Sequence, residues 1–216
     1  MALSAKISMK KREGTGKEVS RKIRKEGYIP GVFYGPELEE AIPVMVDAKA
    51  LRPFANSAHW ETIRIECQFE DGMEAECLMK EIQRDPLTGE ILHVDFLKLV
   101  KGHKVIVNVP IDVVGKDVCV GVKQGGVLEV LMHEIEMEVL PREIPEAVVV
   151  DVSKLGIDDV IHIKDLKLPE SAVVDQDPNA AVVMVSSARV AVEEEGEEGE
   201  EQEVEVIGKG KKKEEE

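Results

Sequence analysis

Runs in which apolar and polar residues alternate one by one recur through this chain. That two-residue period commits it to strands. In residues 3–10, Leu3, Ala5, Ile7 and Met9 fall on one side, and Ser4, Lys6, Ser8 and Lys10 on the other. Ile63, Ile65, Cys67 and Phe69 repeat the pattern. Met73, Ala75, Cys77 and Met79 repeat it again after Glu70-Asp71-Gly72. Placing both apolar sets on one face requires Phe69 to pair with Met73. The connection is then a three-residue loop with Gly72 in the left-handed region, not a two-residue Asp-Gly turn.

Residues 29–34 and 42–46 read as further strands. After the turn Asp85-Pro86-Leu87-Thr88-Gly89, Leu92, Val94 and Phe96 face one way and His93 and Asp95 the other. The apolar residues are mostly Val, Ile, Leu and Ala, and aromatic residues make up only 3% of the chain. β-branched side chains of this kind favour strands. Short strands punctuated by turns predict a small barrel or sandwich. Two helices interrupt it. One spans about 17–26 and is ended by Gly27; the other spans 47–57, with Asp47 as N-cap and Pro53 as a weak point.

A joint is expected at 98–101, dividing a first domain, 1–97, from a second, 102–192. The second is again β-rich, with strands at 105–109, 118–122, 135–139, 147–152, 161–163 and 181–185. Gly125-Gly126 marks a turn or bulge, and 153–158 a single helical turn. Beyond it, 193–216 is a Glu-rich run with no capacity to form a core apart from Val204-Glu205-Val206-Ile207. A disordered acidic tail is expected there.

Charge divides along the same lines. The chain has a formal net charge of −16, with 28 basic residues against 44 acidic. Its first 34 residues nevertheless hold nine Lys/Arg against three Glu. A chain this acidic repels polyanions, so a basic patch is the one place where it can hold one. On the helix at 17–26, Val19 and Ile23 share one side and Lys17, Ser20, Arg21 and Arg24 the other. The apolar pair should dock on a sheet and leave a basic face outward. Three cysteines without C-x-x-C spacing argue against a disulfide framework and a zinc site. They read as small core residues. No cofactor is expected. The longest apolar runs are about six residues, as in 180–185, so neither a signal peptide nor a membrane span is expected, and the compartment is read as cytoplasmic.

The segment from Arg12 to Arg24 could cradle phosphates, with Gly14 and Gly16 admitting backbone amides and a helix N-terminus behind them. It is not a nucleotide-binding P-loop, because Glu18 follows Lys17 where Ser or Thr is required. The His93–Asp95 pair could orient a general base, but no nucleophile can be placed beside it. A solvated strand face or a binding surface is the commoner meaning. Tyr34 can stack on a base or pack in the barrel.

Together these residues carry a family likeness. Arg12…Gly16-Lys17…Ser20-Arg21-Lys22-Ile23-Arg24, then Gly27-Tyr28-Ile29-Pro30-Gly31-Val32-Phe33-Tyr34-Gly35, Gln83-Arg84-Asp85-Pro86 and His93-Val94-Asp95-Phe96 occur in order. They resemble the L-twenty-five family of bacterial large-subunit ribosomal proteins, in its longer Ctc (general stress protein) form. Val107-Asn108-Val109-Pro110 and Gly121-Val122-Lys123-Gln124-Gly125-Gly126 resemble that form's extra β domain. The resemblance implies a six-stranded barrel that binds 5S rRNA in the central protuberance, beside neighbouring large-subunit proteins. It implies no enzymatic activity, small-molecule substrate or membrane partner. It assigns RNA binding to Arg12, Lys17, Ser20, Arg21, Arg24, Tyr34, Lys80, His93 and Asp95. Lys80 stands where the short form has glutamine; it can donate to RNA but cannot make an amide's paired contact. The competing readings are a stress-related protein-interaction module acting off the ribosome and a small hydrolase built on His93 and Asp95.

Overall fold

The computed structural model describes residues 4–169 and 171–187; the tail expected at 193–216 lies outside them. The first alternating run forms β1 (Ser4–Lys11), with Ile7 and Met9 fully inward. It begins a closed barrel with β2 (Tyr28–Tyr34), β3 (Ile42–Asp47), β4 (Arg64–Phe69), β5 (Glu74–Arg84) and β6 (Ile91–Lys98). Around the barrel the order is β1-β3-β2-β6-β5-β4, and closure comes from a parallel pairing of β1 with β4. The inward residues, among them Phe33, Val44, Ile65 and Phe96, fill one core, in which Phe33 and Phe69 meet edge to face at 5.1 Å.

The β4–β5 hairpin has the register read from the alternation. The Phe69 N–H donates to the Met73 carbonyl at 2.9 Å, and Gly72 sits at φ 81°. Cys67 and Cys77 lie side by side inside the barrel, and burial, ahead of Cys67 itself, pushes the Cys77 thiol well up. α1 (Lys17–Lys25) buries Ile23 against β2. α2 (Ala48–Ala55) is shorter than expected. It starts at Asp47, whose carboxylate accepts the Lys49 N–H at 2.8 Å, and it accommodates Pro53.

Two bulges depart from strict alternation. On β5, Met79 pairs with Phe96 but Glu81 with Asp95, so Lys80 is the extra residue. This turns Ile82 toward the barrel core and Glu81 outward. On β6, His93 pairs with Gln83 and Ile91 with Arg84. Leu92, expected inward with Val94 and Phe96, is therefore the unpaired residue, and Ile91 takes the inward place.

The second domain packs two sheets over one core. In the first, β7 (Val105–Val114) and β9 (Glu134–Val139) are flanked by β10 (Val148–Asp151) and β12 (Val173–Val174). In the second, β13 (Ala181–Ser187) runs between β8 (Gly126–Val130) and β11 (Val160–His162). β8 and β12 were not foreseen. The strand expected at 118–122 is instead a 3-10 turn, Lys116–Val118, followed by α3 (Val120–Lys123). Gly115 at φ 81° ends the extended chain, and Gly121 then lies so close to its neighbours that a Cβ would come 2.8 Å from the Gly156 carbonyl. The alternation there is real but inverted. Cys119 and Gly121 are buried and the three valines exposed. Residues 153–158 form turns rather than a helical turn.

The two domains share a packed seam. Leu78, Leu97 and Leu99 leave the barrel to join the second core. Leu99 and Val100, in the expected joint, are buried, and the Leu99 N–H donates to the Glu76 carbonyl at 2.8 Å. The Thr62 hydroxyl donates to the Glu146 carbonyl and the Lys80 ammonium to the Ile106 carbonyl, each at 3.0 Å. Glu61 sits beside them. Burial, then the charge of Glu134, holds its carboxyl above the usual value, while Lys80 and hydrogen bonds from Asn108 pull the other way.

Two predictions follow from this packing. A Cβ on Gly31 would stand 2.5 Å from the Val94 carbonyl oxygen. Gly31→Ala should therefore destabilise the barrel by about 1–3 kcal/mol, read from urea denaturation. The raised carboxyl of Glu61 penalises its ionised form in the folded state only. That penalty is complete above the folded-state pKa and vanishes as pH falls below the ordinary value of 4.5. Glu61→Gln should raise the melting temperature at neutral pH, and the gain should fade toward pH ~4 in calorimetry.

Candidate nucleic-acid interface

The nine basic residues of the N-terminal segment do not act together. Lys6, Lys10 and Lys11 point off β1 toward the loop and strand beside it and pair with Glu66, Glu70 and Asp71. Their charge is locally neutralised. The other six, Arg12, Lys17, Arg21, Lys22, Arg24 and Lys25, belong to α1 and the chain leading into it. None has a carboxylate partner among the described residues. Lys17, Arg21, Lys22 and Lys25 are exposed.

Arg12 and Arg24 fasten this basic element to the barrel. Arg12 is half-buried. Its Nη2 donates to the Gly31 carbonyl at 3.3 Å and its Nη1 to the Ser20 hydroxyl at 3.5 Å. Its Nε is buried with no hydrogen-bond partner among the described residues. Burial pulls its guanidinium below the usual value. The Arg24 Nη1 donates at 2.9 Å to the carbonyl of Leu92, the residue left unpaired by the bulge on β6. The bulge thus supplies the acceptor that holds the C-terminal turn of α1.

Beside α1, the outward residues of β2, β6 and β5 form a polar row. His93 Nδ1 lies 2.8 Å from Asp95 Oδ1. That contact orients the ring and leaves Nε2 for a ligand. Glu81 is the register partner of Asp95. Tyr34 stands near both carboxylates, and burial first, then Asp95 and Glu81, raise its phenol. It therefore presents an O–H that stays protonated. The row combines fixed acceptors with one phenolic donor, and the helix beside it supplies free cations. This pairing suits a ligand that offers phosphates and base-edge amino groups together.

The structure brings Arg12, Lys17, Ser20, Arg21, Arg24, Tyr34, His93 and Asp95 onto one side of the barrel. Lys80 is engaged elsewhere, by the second domain. Glu81 was not foreseen, because strict alternation from Met79 points it inward and only the bulge turns it out. The His93–Asp95 pair has no part in the cleft of about 750 Å3 that opens at the domain seam.

The Ribosomal L25p family matches residues 7–96, and the family described as Ribosomal protein TL5, C-terminal domain, matches residues 104–189. The chain is 38% identical over 203 residues to the large ribosomal subunit protein bL25 of Thermosipho africanus, covering 92% of this chain and 93% of that protein. It is 38% identical over 216 residues to the bL25 of Thermodesulfovibrio yellowstonii, covering 97% and 96%. It is 39% identical over 191 residues to that of Syntrophotalea carbinolica, covering 88% and 90%.

Arg24→Ala removes a charged donor from a specific carbonyl, and Arg21→Ala removes only an exposed side chain. The first should cost about 1–2 kcal/mol in urea denaturation and the second less than ~0.5 kcal/mol.

Proposed function

The chain belongs to the bL25 family of large-subunit ribosomal proteins, a family without enzymatic activity, and from that premise we propose that the α1 face binds 5S rRNA within the central protuberance of the large subunit. The protein then works as a structural component of translation in the cytoplasm. The observation that carries the reading is the set of six cations without carboxylate partners among the described residues, gathered at α1 and the chain leading into it on a chain of net charge −16.

Each group has a role set by its chemistry. Lys17, Arg21 and Arg24 hold phosphates, and Arg12 adds its charge beneath them while it fastens the helix to the barrel. Ser20 is fixed by Arg12 and can reach a sugar or phosphate. Tyr34 and His93 meet base edges and groove shape. Asp95 and Glu81 repel phosphate and can only accept, so they select amino groups on bases. Phosphate contacts set affinity, and the carboxylates penalise a wrongly placed backbone. Lys80, turned to the seam, donates to the second domain instead.

Lys17→Glu with Arg21→Glu leaves every described hydrogen bond of the barrel intact. This pair should weaken 5S rRNA binding by at least about tenfold near 0.1 M salt, without lowering the melting temperature. In electrophoretic titration of the wild type, log affinity should fall with log salt at a slope of roughly −3 to −4, for about four to five neutralised phosphates. The variant should lose about two from that slope. Unchanged affinity in a folded variant would remove α1 from the interface.

A further inference from the structure

The cleft at the domain seam is floored by Leu99, Val100 and Leu140. Its rim carries three cations from three segments: Arg64 of β4, Lys101 of the joint, and Arg142 of the turn between β9 and β10. None of the three has a carboxylate partner among the described residues. Glu76 and Glu143 also reach the cleft, so cations outnumber acids there by three to two. In the barrel order β2-β6-β5-β4, the strand under α1 and the strand bordering the cleft lie on opposite sides. The cleft therefore faces away from the proposed RNA site.

An occupant that fits needs acids for the rim and apolar side chains for the floor, in an extended segment. The chain carries such a sequence outside the described residues: Glu201-Gln202-Glu203-Val204-Glu205-Val206-Ile207. In an extended backbone, Val204 and Val206 fall on one side and Glu203 and Glu205 on the other. This is the sole apolar stretch in 193–216, a segment with twelve acids against four lysines. The seventeen Cα-to-Cα steps from Ser187 to Val204 reach up to roughly 55 Å when extended. A folded body of this length has a radius of gyration of about 16 Å, so the cleft is within range.

We propose that residues 203–207 dock in the seam cleft, valines to the floor and glutamates to Arg64, Lys101 and Arg142. Being tethered, the segment acts at an effective concentration of about a millimolar, so a weak contact suffices. Docked there, the acidic tail is held on the side of the barrel opposite α1, where it does not compete with a polyanion for the basic helix. The docking stands whether or not that helix binds RNA.

Amide spectra of the full-length chain test it. Val204→Ser, Val206→Ser and Ile207→Ser together leave both described cores untouched. Against the wild type, this variant should shift the amide signals of 99–102 and 140–143 and leave those of α1 in place. Arg64→Glu with Arg142→Glu, in the full chain, should abolish the effect of the serine substitutions. A synthetic peptide of residues 201–208, added at millimolar concentration to the serine variant, should restore the wild-type cleft signals. Unchanged cleft signals in the serine variant would overturn the proposal. So would shifts confined to α1, which would place the tail on the basic helix, or to the exposed valines of α3, which would place it on the far end of the second domain.

Discussion

At its middle, over Cys77, Leu78 and Met79, strand β5 is buried on both faces, and the two domains meet around that constraint. Cys77 and Met79 point into the barrel, while Leu78 between them points into the core of the second domain. Past these residues the strand leaves the seam and returns to solvent. The bulge at Lys80 makes that change. Before it, the outer face of β5 belongs to the seam, where the Lys80 ammonium meets the Ile106 carbonyl. After it, the outer face belongs to the polar row, where Glu81 sits beside Asp95.

The same arrangement sorts charge. Parallel pairing of β1 with β4 brings Glu66 to Lys6, and the loop beyond β4 brings Glu70 and Asp71 to Lys10 and Lys11. Exposed pairs of this kind add little stability, about 0–1 kcal/mol each. Their larger effect is on the field. They cancel the basic side chains of the strand and leave those of the helix uncompensated. What reads in sequence as one basic segment is in three dimensions a neutral flank and a positive one.

Much of this was legible in the sequence. The alternation gave the inward residues of β1, β4 and the first half of β5, and the demand for one common face gave the Phe69–Met73 register and the left-handed Gly72. The spacing of Val19 and Ile23 gave the buried side of α1. What escaped was set by distant partners. A bulge is decided by the residue count of the strand opposite, so neither Lys80 nor Leu92 announces itself locally, and with them went Glu81 and the acceptor of Arg24. The neutralised lysines escaped for the same reason, since Lys11 and Asp71 are 60 residues apart. At 118–122 a good strand pattern folded as turn and helix, with Gly121 meeting Gly156 at backbone distance. Periodicity names the buried side chains but not the backbone that carries them.

The parallel pairing of β2 with β6 has a bearing on when the basic face comes into being. Parallel neighbours need a long connection, and here that connection holds three other barrel strands and α2. As the chain leaves the ribosome that makes it, α1 and β2 emerge early, but the edge of β2 away from β3 has no partner until residues 94–97 follow. Until Leu92 is present, Arg24 has no carbonyl to hold. A nascent chain that stops short of β6 therefore carries all six helix cations but neither the platform that orients them nor His93 and Asp95. The high sequence separation of these contacts makes closure slow relative to local helix formation. The polar row beside α1 is finished last, after the charge of the helix itself.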